Sequence, residues 1–216
     1  MTITDLDYEQ IKKFYDIETI AVNKIIASKK GKLPKFLIES LVEFYKAKTQ
    51  LKGVEGKEDA YLNAKEMLNA LFGMMVTSPV HDIITFHTKS FYDKNEQKYK
   101  KWTKESPDYS NDNNFLLFQW GVYVTAWARY NLLNAVHYLN EDLIYSDTDS
   151  CKLFNIDKHL KWFKKDNSRI RNEVENACKY YDINFEVMKG IGEWEWETKK
   201  KGAYKRFMTW GAKRYL

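Results

Sequence analysis

Apolar positions recur at helical spacing early in this chain. Ile11, Phe14, Tyr15 and Ile17 follow a polar start at Thr4, Asp5 and Asp7, which predicts a first helix. Residues 20–26 are rich in β-branched side chains and predict a strand, and 29–33 follow as a basic connection containing Gly31. Pro34 then stands at the first turn of a second helix, on which Phe36, Leu37, Leu41, Phe44, Tyr45 and Leu51 form an apolar stripe ending near Gly53. A third helix is expected over 57–72. The short loop between them, with Gly53 and Gly56, makes the pair an αα-hairpin. Further on, Leu143, Ile144 and Tyr145 read as a short buried strand, and Cys151, Lys152, Leu153 and Phe154 as its return. The bend between them carries Asp147 and Asp149. In an extended or tightly turned backbone alternate side chains share a face, so the two carboxylates can point at one hard divalent cation. Asp-x-Asp at a turn is by itself most often only a turn, so other residues must raise the case for a metal.

Composition narrows the classes. With 216 residues, 44% hydrophobic and 30% charged, the chain can bury one sizeable core or two small ones, which excludes a disordered polymer. The formal net charge of +5 comes mostly from clustered lysines and suits a polyanionic partner. Cys151 and Cys178 lie far apart and form no CxxC, which points to a reduced intracellular setting, and only four histidines argue against a zinc site. No run reaches the length of a membrane span, and Met1 is followed by Thr-Ile-Thr-Asp rather than a basic leader, so a cytoplasmic protein with no membrane partner is expected. Of three prolines, Pro34, Pro79 and Pro107, two bound a change in character that suggests an inserted subdomain.

Lys46, Lys48 and Lys52 decorate the second helix and Lys65 the third. They read either as a solvated face or as a grip on a triphosphate. Lys65, Asn69 and Phe72 stand at i, i+4 and i+7, so a cation, an amide and a ring share one stripe, as a nucleotide site requires; Met67, Leu68 and Leu71 read as core. Thr125 and Arg129, at i and i+4 of an expected helix, can meet one backbone phosphate, or are a cap and a surface arginine. Residues 94–104, with Tyr99 and Trp102 among lysines, read equally as a DNA contact and as a solvated stretch.

Three of these segments and a fourth at the far end of the chain, in order, carry a resemblance. Lys65-x3-Asn69-x2-Phe72-Gly73 resembles the K-x3-NS-x-YG signature of family B DNA polymerases, and Tyr145-x-Asp147-Thr148-Asp149-Ser150 resembles the family's YxDTDS signature. Between them Thr125, Ala126, Trp127, Ala128, Arg129 and Tyr130 are similar to the TAWARY segment of the protein-primed branch found in bacteriophages and linear plasmids. Lys213, Arg214 and Tyr215 resemble the KxY primer-strand motif, and Gly192, Trp194 and Glu197 the segment before it.

The resemblance implies an α+β chain: a palm, with a small antiparallel sheet packed on helices, from which a helical-hairpin fingers subdomain projects. Residues 1–33 are then a palm-associated connection, 34–73 the fingers, 74–120 an inserted subdomain that in such relatives helps enclose DNA, and 121–216 palm. It implies a DNA-directed DNA polymerase that joins deoxynucleoside triphosphates to a primer 3′ hydroxyl on primer–template DNA with two Mg2+ ions, with a terminal protein as a candidate primer. In that frame Asp149 resembles the main metal ligand and Asp147 its supporting acid. Lys65, Asn69 and Phe72 take the nucleotide, with Lys48 as a second phosphate ligand; Thr125 and Arg129 meet backbone phosphate, and Lys213 and Tyr215, alternating on a strand, hold the primer end.

Ala70 and Phe72 depart from the family's Ser and Tyr, so ring stacking is kept while a hydroxyl is lost. The family's DxxSLYP metal motif has no match here, and Asp5 and Asp7 do not resemble it. The expectation is therefore a middle portion of a polymerase, with negligible nucleotide transfer when alone. A noncatalytic nucleic-acid-binding remnant is the second reading, and a metal-dependent nuclease built on Asp147 and Asp149 the weakest.

Overall fold

The computed structural model describes residues 2–29, 31–76, 83–105, 117–185, 190–197, 204 and 206–215, with side chains at 83 and 103–105 left aside. Helix α1, Asp5–Phe14, starts where its sequence directs. Thr4 and Asp7 form a capping box, with the Asp7 amide donating to Thr4 Oγ1 at 3.1 Å and the Thr4 amide donating to Asp7 Oδ2 at 3.1 Å. Two further helices, α2 (Lys35–Leu51) and α3 (Glu58–Val76), make the expected helical hairpin. Gly53 and Gly56 turn the chain between them at φ of 77° and 72°, where a side chain would be strained. Leu37 and Val42 are the buried positions of α2, whereas Phe36, read as part of the apolar stripe, is about half exposed.

The β-branched stretch 20–26 is irregular, which corrects the expected strand. Ile25 and Ile26 are 80% and 82% exposed, and no described strand pairs with the segment. Propensity for a pleated surface forms no ladder without a partner to pair with and a face to bury.

After α3 the chain forms a long antiparallel ribbon, β1 (Ile83–Asp93) and β2 (Lys98–Glu105), with an irregularity between Phe86 and Phe91. It lies within the expected insertion; the bounds read at Pro79 and Pro107 lie outside the described residues. The centre of the molecule is α4, Phe118–Leu139. Gly121, Ala126, Ala135 and Leu139 are buried along it, and the small size of the first three lets neighbouring elements approach closely. The approach is tightest at Gly121, where a Cβ would fall 2.4 Å from Val76 Cγ1 and 3.0 Å from Met75 Cβ at the end of α3. Helix α1 runs along the other side of α4. Tyr123 donates to Asp5 at 3.0 Å, Gln10 to Asn134 at 3.2 Å, and the Phe14 ring meets His137 edge-on at 5.6 Å.

A 3-10 turn, Asn140–Asp142, leads into the antiparallel pair β3 (Leu143–Asp147) and β4 (Ser150–Leu153), which packs on α4. Helix α5, Ile156–Tyr180, follows, anchored where His159 and Asn155 bind opposite oxygens of Asp142 at 2.9 and 2.7 Å and Tyr138 stacks on Trp162 at 4.7 Å. A last hairpin, β5 (Thr209–Gly211) and β6 (Arg214–Tyr215), closes the described chain. The fold is thus α+β. Its described strands form three separate two-stranded ladders, so the Tyr145 strand and the terminal strand do not share the one small palm sheet that the resemblance implies. Among the described residues no helix is long and apolar enough to cross a membrane.

Candidate active site

The acidic bend between β3 and β4 is a two-residue turn, Thr148 and Asp149. The Asp149 amide donates to Asp147 O at 2.6 Å, an i to i+2 closure that draws the two aspartates together around Thr148. Thr148 takes a φ of 53°, a region that β-branched residues avoid. Its hydroxyl donates to Asp147 Oδ1 at 2.8 Å, while the Ser150 hydroxyl donates to Asp147 O at 3.2 Å. Asp147 is half-buried with one carboxylate oxygen engaged; Asp149 is exposed. Both carboxylates are hard oxygen donors, and magnesium is commonly held by one or two carboxylates together with substrate phosphates, so the turn suits that ion. Among the described residues no group of three or more His, Cys, Asp and Glu gathers around it or elsewhere.

Strand alternation places Tyr145 on the face of Asp147, and pairing places Lys152 beside Tyr145. That face is covered by the C-terminal hairpin. The Tyr145 hydroxyl accepts the Lys213 amide at 2.9 Å, across 68 positions of sequence. The rings of Tyr145, Phe207 and Tyr215 form a triangle with centroid separations of 5.7, 5.6 and 5.6 Å. Lys152 Nζ pairs with Glu197 and lies 5.4 Å over the Tyr204 ring and 5.9 Å over that of Tyr215. Burial opposes the Lys152 charge, but the Glu197 carboxylate outweighs it and holds the ammonium above its ordinary pKa. Burial alone pushes the Cys151 thiol, on the same strand, up to about 11.

Glu197 ends a segment gripped by α5. Trp194 Nε1 donates to Asp166 at 2.9 Å, its amide to Asn167 Oδ1 at 2.7 Å, and Asn167 donates back to Trp194 O at 3.0 Å. Arg171 adds a bidentate pair with Glu193 at 2.7 and 3.0 Å. The structure thus brings Lys213 and Tyr215 to Tyr145 and Glu197 to Lys152, a cross-strand pair two positions back from Asp147 and Ser150 at the acidic turn. One placement differs from the sequence reading: Lys213 lies in the turn before β6 at a φ of 60°, and does not alternate with Tyr215 on a strand.

Lys65, Asn69 and Phe72 share a face of α3 as their spacing requires, the first two exposed and the ring half-buried. Neither the Lys65 nor the Asn69 side chain forms a hydrogen bond or ion pair among the described residues. Met67 is 54% exposed, which removes it from the core; α3 packs on α2 and α4 through other positions, including Ala64 and Met75. Lys48 on α2 is half-buried with its Nζ 5.4 Å over the Tyr45 ring, and Tyr45 donates to Gly190 O at 3.1 Å. That bond ties α2 to the segment leading to Trp194.

On α4, Thr125 and Arg129 sit one turn apart. The Thr125 hydroxyl donates to Val122 O at 2.8 Å, bonding back to its own helix. Arg129 is not a lone surface arginine. It grips Asp7 of α1 by two hydrogen bonds, Nε to Oδ1 at 2.9 Å and Nη2 to Oδ2 at 3.0 Å. The Arg129 guanidinium, set against the opposing cost of burial, holds the Asp7 carboxyl below its ordinary range. The partners are 122 positions apart, and nothing local in the sequence signals the pair. In the inserted ribbon, Lys100 is buried against Asp93 and Glu96 and lies 4.7 Å from the Trp102 ring, so this lysine is neither solvated nor free for a phosphate.

Comparison with known proteins yields no relative: no family model matches the chain, and neither a curated protein nor a solved structure matches it.

Proposed function

We propose that this chain is the fingers and part of the palm of a DNA-directed DNA polymerase similar to the protein-primed members of family B. What supports the reading above all is the bond between Tyr145 and Lys213 with the ring triangle around it, because the two motifs that resemble YxDTDS and KxY meet there. A metal-bearing turn and a primer-end contact need that proximity for a 3′ hydroxyl to approach a nucleotide.

In this reading Asp149 and Asp147 hold magnesium through carboxylate oxygens. Magnesium, when bound, lowers the pKa of the primer hydroxyl and offsets charge on the leaving pyrophosphate. Lys65, supported by Lys48, neutralises the triphosphate, while Asn69 and the Phe72 ring bear on the sugar and base side. The turn at Lys213 and the Tyr215 ring hold the primer terminus, and Thr125 and Arg129 meet backbone phosphate. DNA contacts are then mostly to phosphate, independent of sequence and weakened by salt. The ribbon β1–β2 stands where the branch has its insertion.

The test is binding of a primed template across salt concentrations, together with incorporation of labelled nucleotide. The expected result is sequence-indifferent binding whose affinity falls linearly with salt on logarithmic axes, with negligible incorporation by this chain alone. Incorporation abolished by Asp149→Ala would overturn the expected inactivity while upholding the polymerase. Degradation of unprimed DNA with magnesium would favour a nuclease, and no DNA binding at low salt would sink the reading.

A further inference from the structure

The pairing of Arg129 with Asp7 has a particular geometry. The carboxylate takes the Nε and Nη2 edge of the guanidinium, and Nη1 has no partner among the described residues. Five donors in a fixed fork serve two carboxylates or phosphates at once when the first takes the Nε side. Arg129 is 51% exposed at its side chain, whereas Asp7 is 17% exposed, so the acid is the fixed member and the guanidinium faces outward.

Asp7 is itself immobilised. Its Oδ2 accepts both the Thr4 amide and the Thr4 hydroxyl, at 3.1 and 2.8 Å, within the capping box. Helix α1 is then pinned along α4 by Asp5 with Tyr123, by Gln10 and Lys13 with Asn134, and by the Phe14 edge on His137. A surface arginine ordinarily surrenders side-chain entropy on binding a phosphate. This one has surrendered most of it on folding.

We infer that Asp7 is a positioning residue for nucleic-acid binding: it holds Arg129 in the orientation that presents Nη1 to a backbone phosphate beside Thr125. The inference rests on the nucleic-acid reading of the preceding subsection and adds a residue that the sequence resemblance does not mark. It also carries a sign that general electrostatics reverses. Removing a negative charge from a DNA-binding surface ordinarily tightens binding. Removing this one should weaken it.

The experiment measures the affinity of the full chain for a primed DNA duplex against salt, for wild type, Asp7→Asn, Arg129→Ala and the double variant. Asparagine keeps the volume and the oxygen that caps Thr4, and thermal melting checks that the helix stays docked. Asp7→Asn is expected to weaken binding roughly threefold to tenfold at fixed salt, the size of one side chain's ordering. Its salt slope should stay that of wild type, whereas Arg129→Ala should flatten the slope by about one phosphate contact, and the double variant should bind no worse than Arg129→Ala. A second readout follows the arginine itself. The Arg129 Nε–Hε resonance should be sharp and slow to exchange in wild type and lost in Asp7→Asn without DNA present.

Unchanged or tighter binding by Asp7→Asn, with wild type binding DNA, would overturn the positioning role and leave the polymerase reading standing. Additive losses in the double variant would likewise overturn it, marking Asp7 as structural only. Failure of wild type to bind would sink the polymerase reading, and this inference with it.

Discussion

The ribbons β3–β4 and β1–β2 share a backbone plan, two antiparallel strands joined by a tight turn, and differ in everything around it. β3–β4 is the shorter, yet it packs on α4 and carries Tyr145 into a triangle of rings with Phe207 and Tyr215. β1–β2 is about twice as long, and rings such as Phe86 and Tyr99 face outward, 77% and 74% exposed. A two-stranded ribbon is marginal in water unless its face is covered. The difference teaches that here the covering, more than the strands, makes a site: the shorter ribbon holds Tyr145, two positions from its acidic turn, against a second hairpin, and the longer one holds its own charges together through Lys100, Asp93 and Glu96.

The comparison breaks most sharply under truncation of one ring from each ribbon. Tyr145→Ala removes a ring from the triangle and the acceptor for Lys213, and should cost about 2–4 kcal/mol in urea unfolding. Tyr99→Ala, which loses mainly an edge contact with Tyr92, should cost under about 1 kcal/mol. Equal losses would show that the two ribbons are supported alike. Next in size is Gly121→Ala, at the base of the insertion, where the added methyl meets Val76 and Met75; a loss of about 1–3 kcal/mol is expected, against little change if the helices part freely.

Tyr145→Phe keeps the triangle and removes only the hydrogen bond to Lys213. About 1 kcal/mol should be lost, concentrated as faster amide exchange at Lys213 with the exchange of β1–β2 unmoved. The smallest effect lies away from both ribbons, where a polar latch substitutes for rings. Because Arg129 depresses the Asp7 carboxyl, the folded state binds fewer protons than the unfolded chain. The stabilisation is present above about pH 4, the unfolded value, and is lost as pH falls through the folded one. Protection of the α1 amides, taken relative to the intrinsic exchange rate at each pH, should therefore decline as pH falls below about 4 in wild type and change less in Asp7→Asn.

What was legible in the sequence was local. The Thr4 and Asp7 capping box, the glycine-bearing loop of the α2–α3 hairpin, the Lys65, Asn69 and Phe72 stripe, and the acidic bend all depend on residues within two helical turns of one another. The strand expected at 20–26 failed because a strand is a property of a pair, and composition shows only one member. Met67 was misplaced for a related reason: helical spacing fixes which residues share a face but not which face is buried. The Lys213 turn was missed because Gly211, the residue that announces it, sits two positions earlier and takes the unusual φ of 136°. The contacts that knit the site, Tyr145 with Lys213, Lys152 with Glu197 and Arg129 with Asp7, join residues 68, 45 and 122 positions apart, beyond the reach of any spacing rule.

The central claim is that the Asp147–Asp149 turn is a divalent-metal site next to a primer terminus. Ferrous iron can replace magnesium at such carboxylates and, with ascorbate and peroxide, generates hydroxyl radicals that cut only what lies nearby. On a primed template bound to this chain, the account predicts cleavage concentrated within a few nucleotides of the primer 3′ end, lost on adding excess magnesium and absent in Asp149→Ala. Cleavage spread evenly along the duplex, or a focused cut that survives Asp149→Ala, would contradict it.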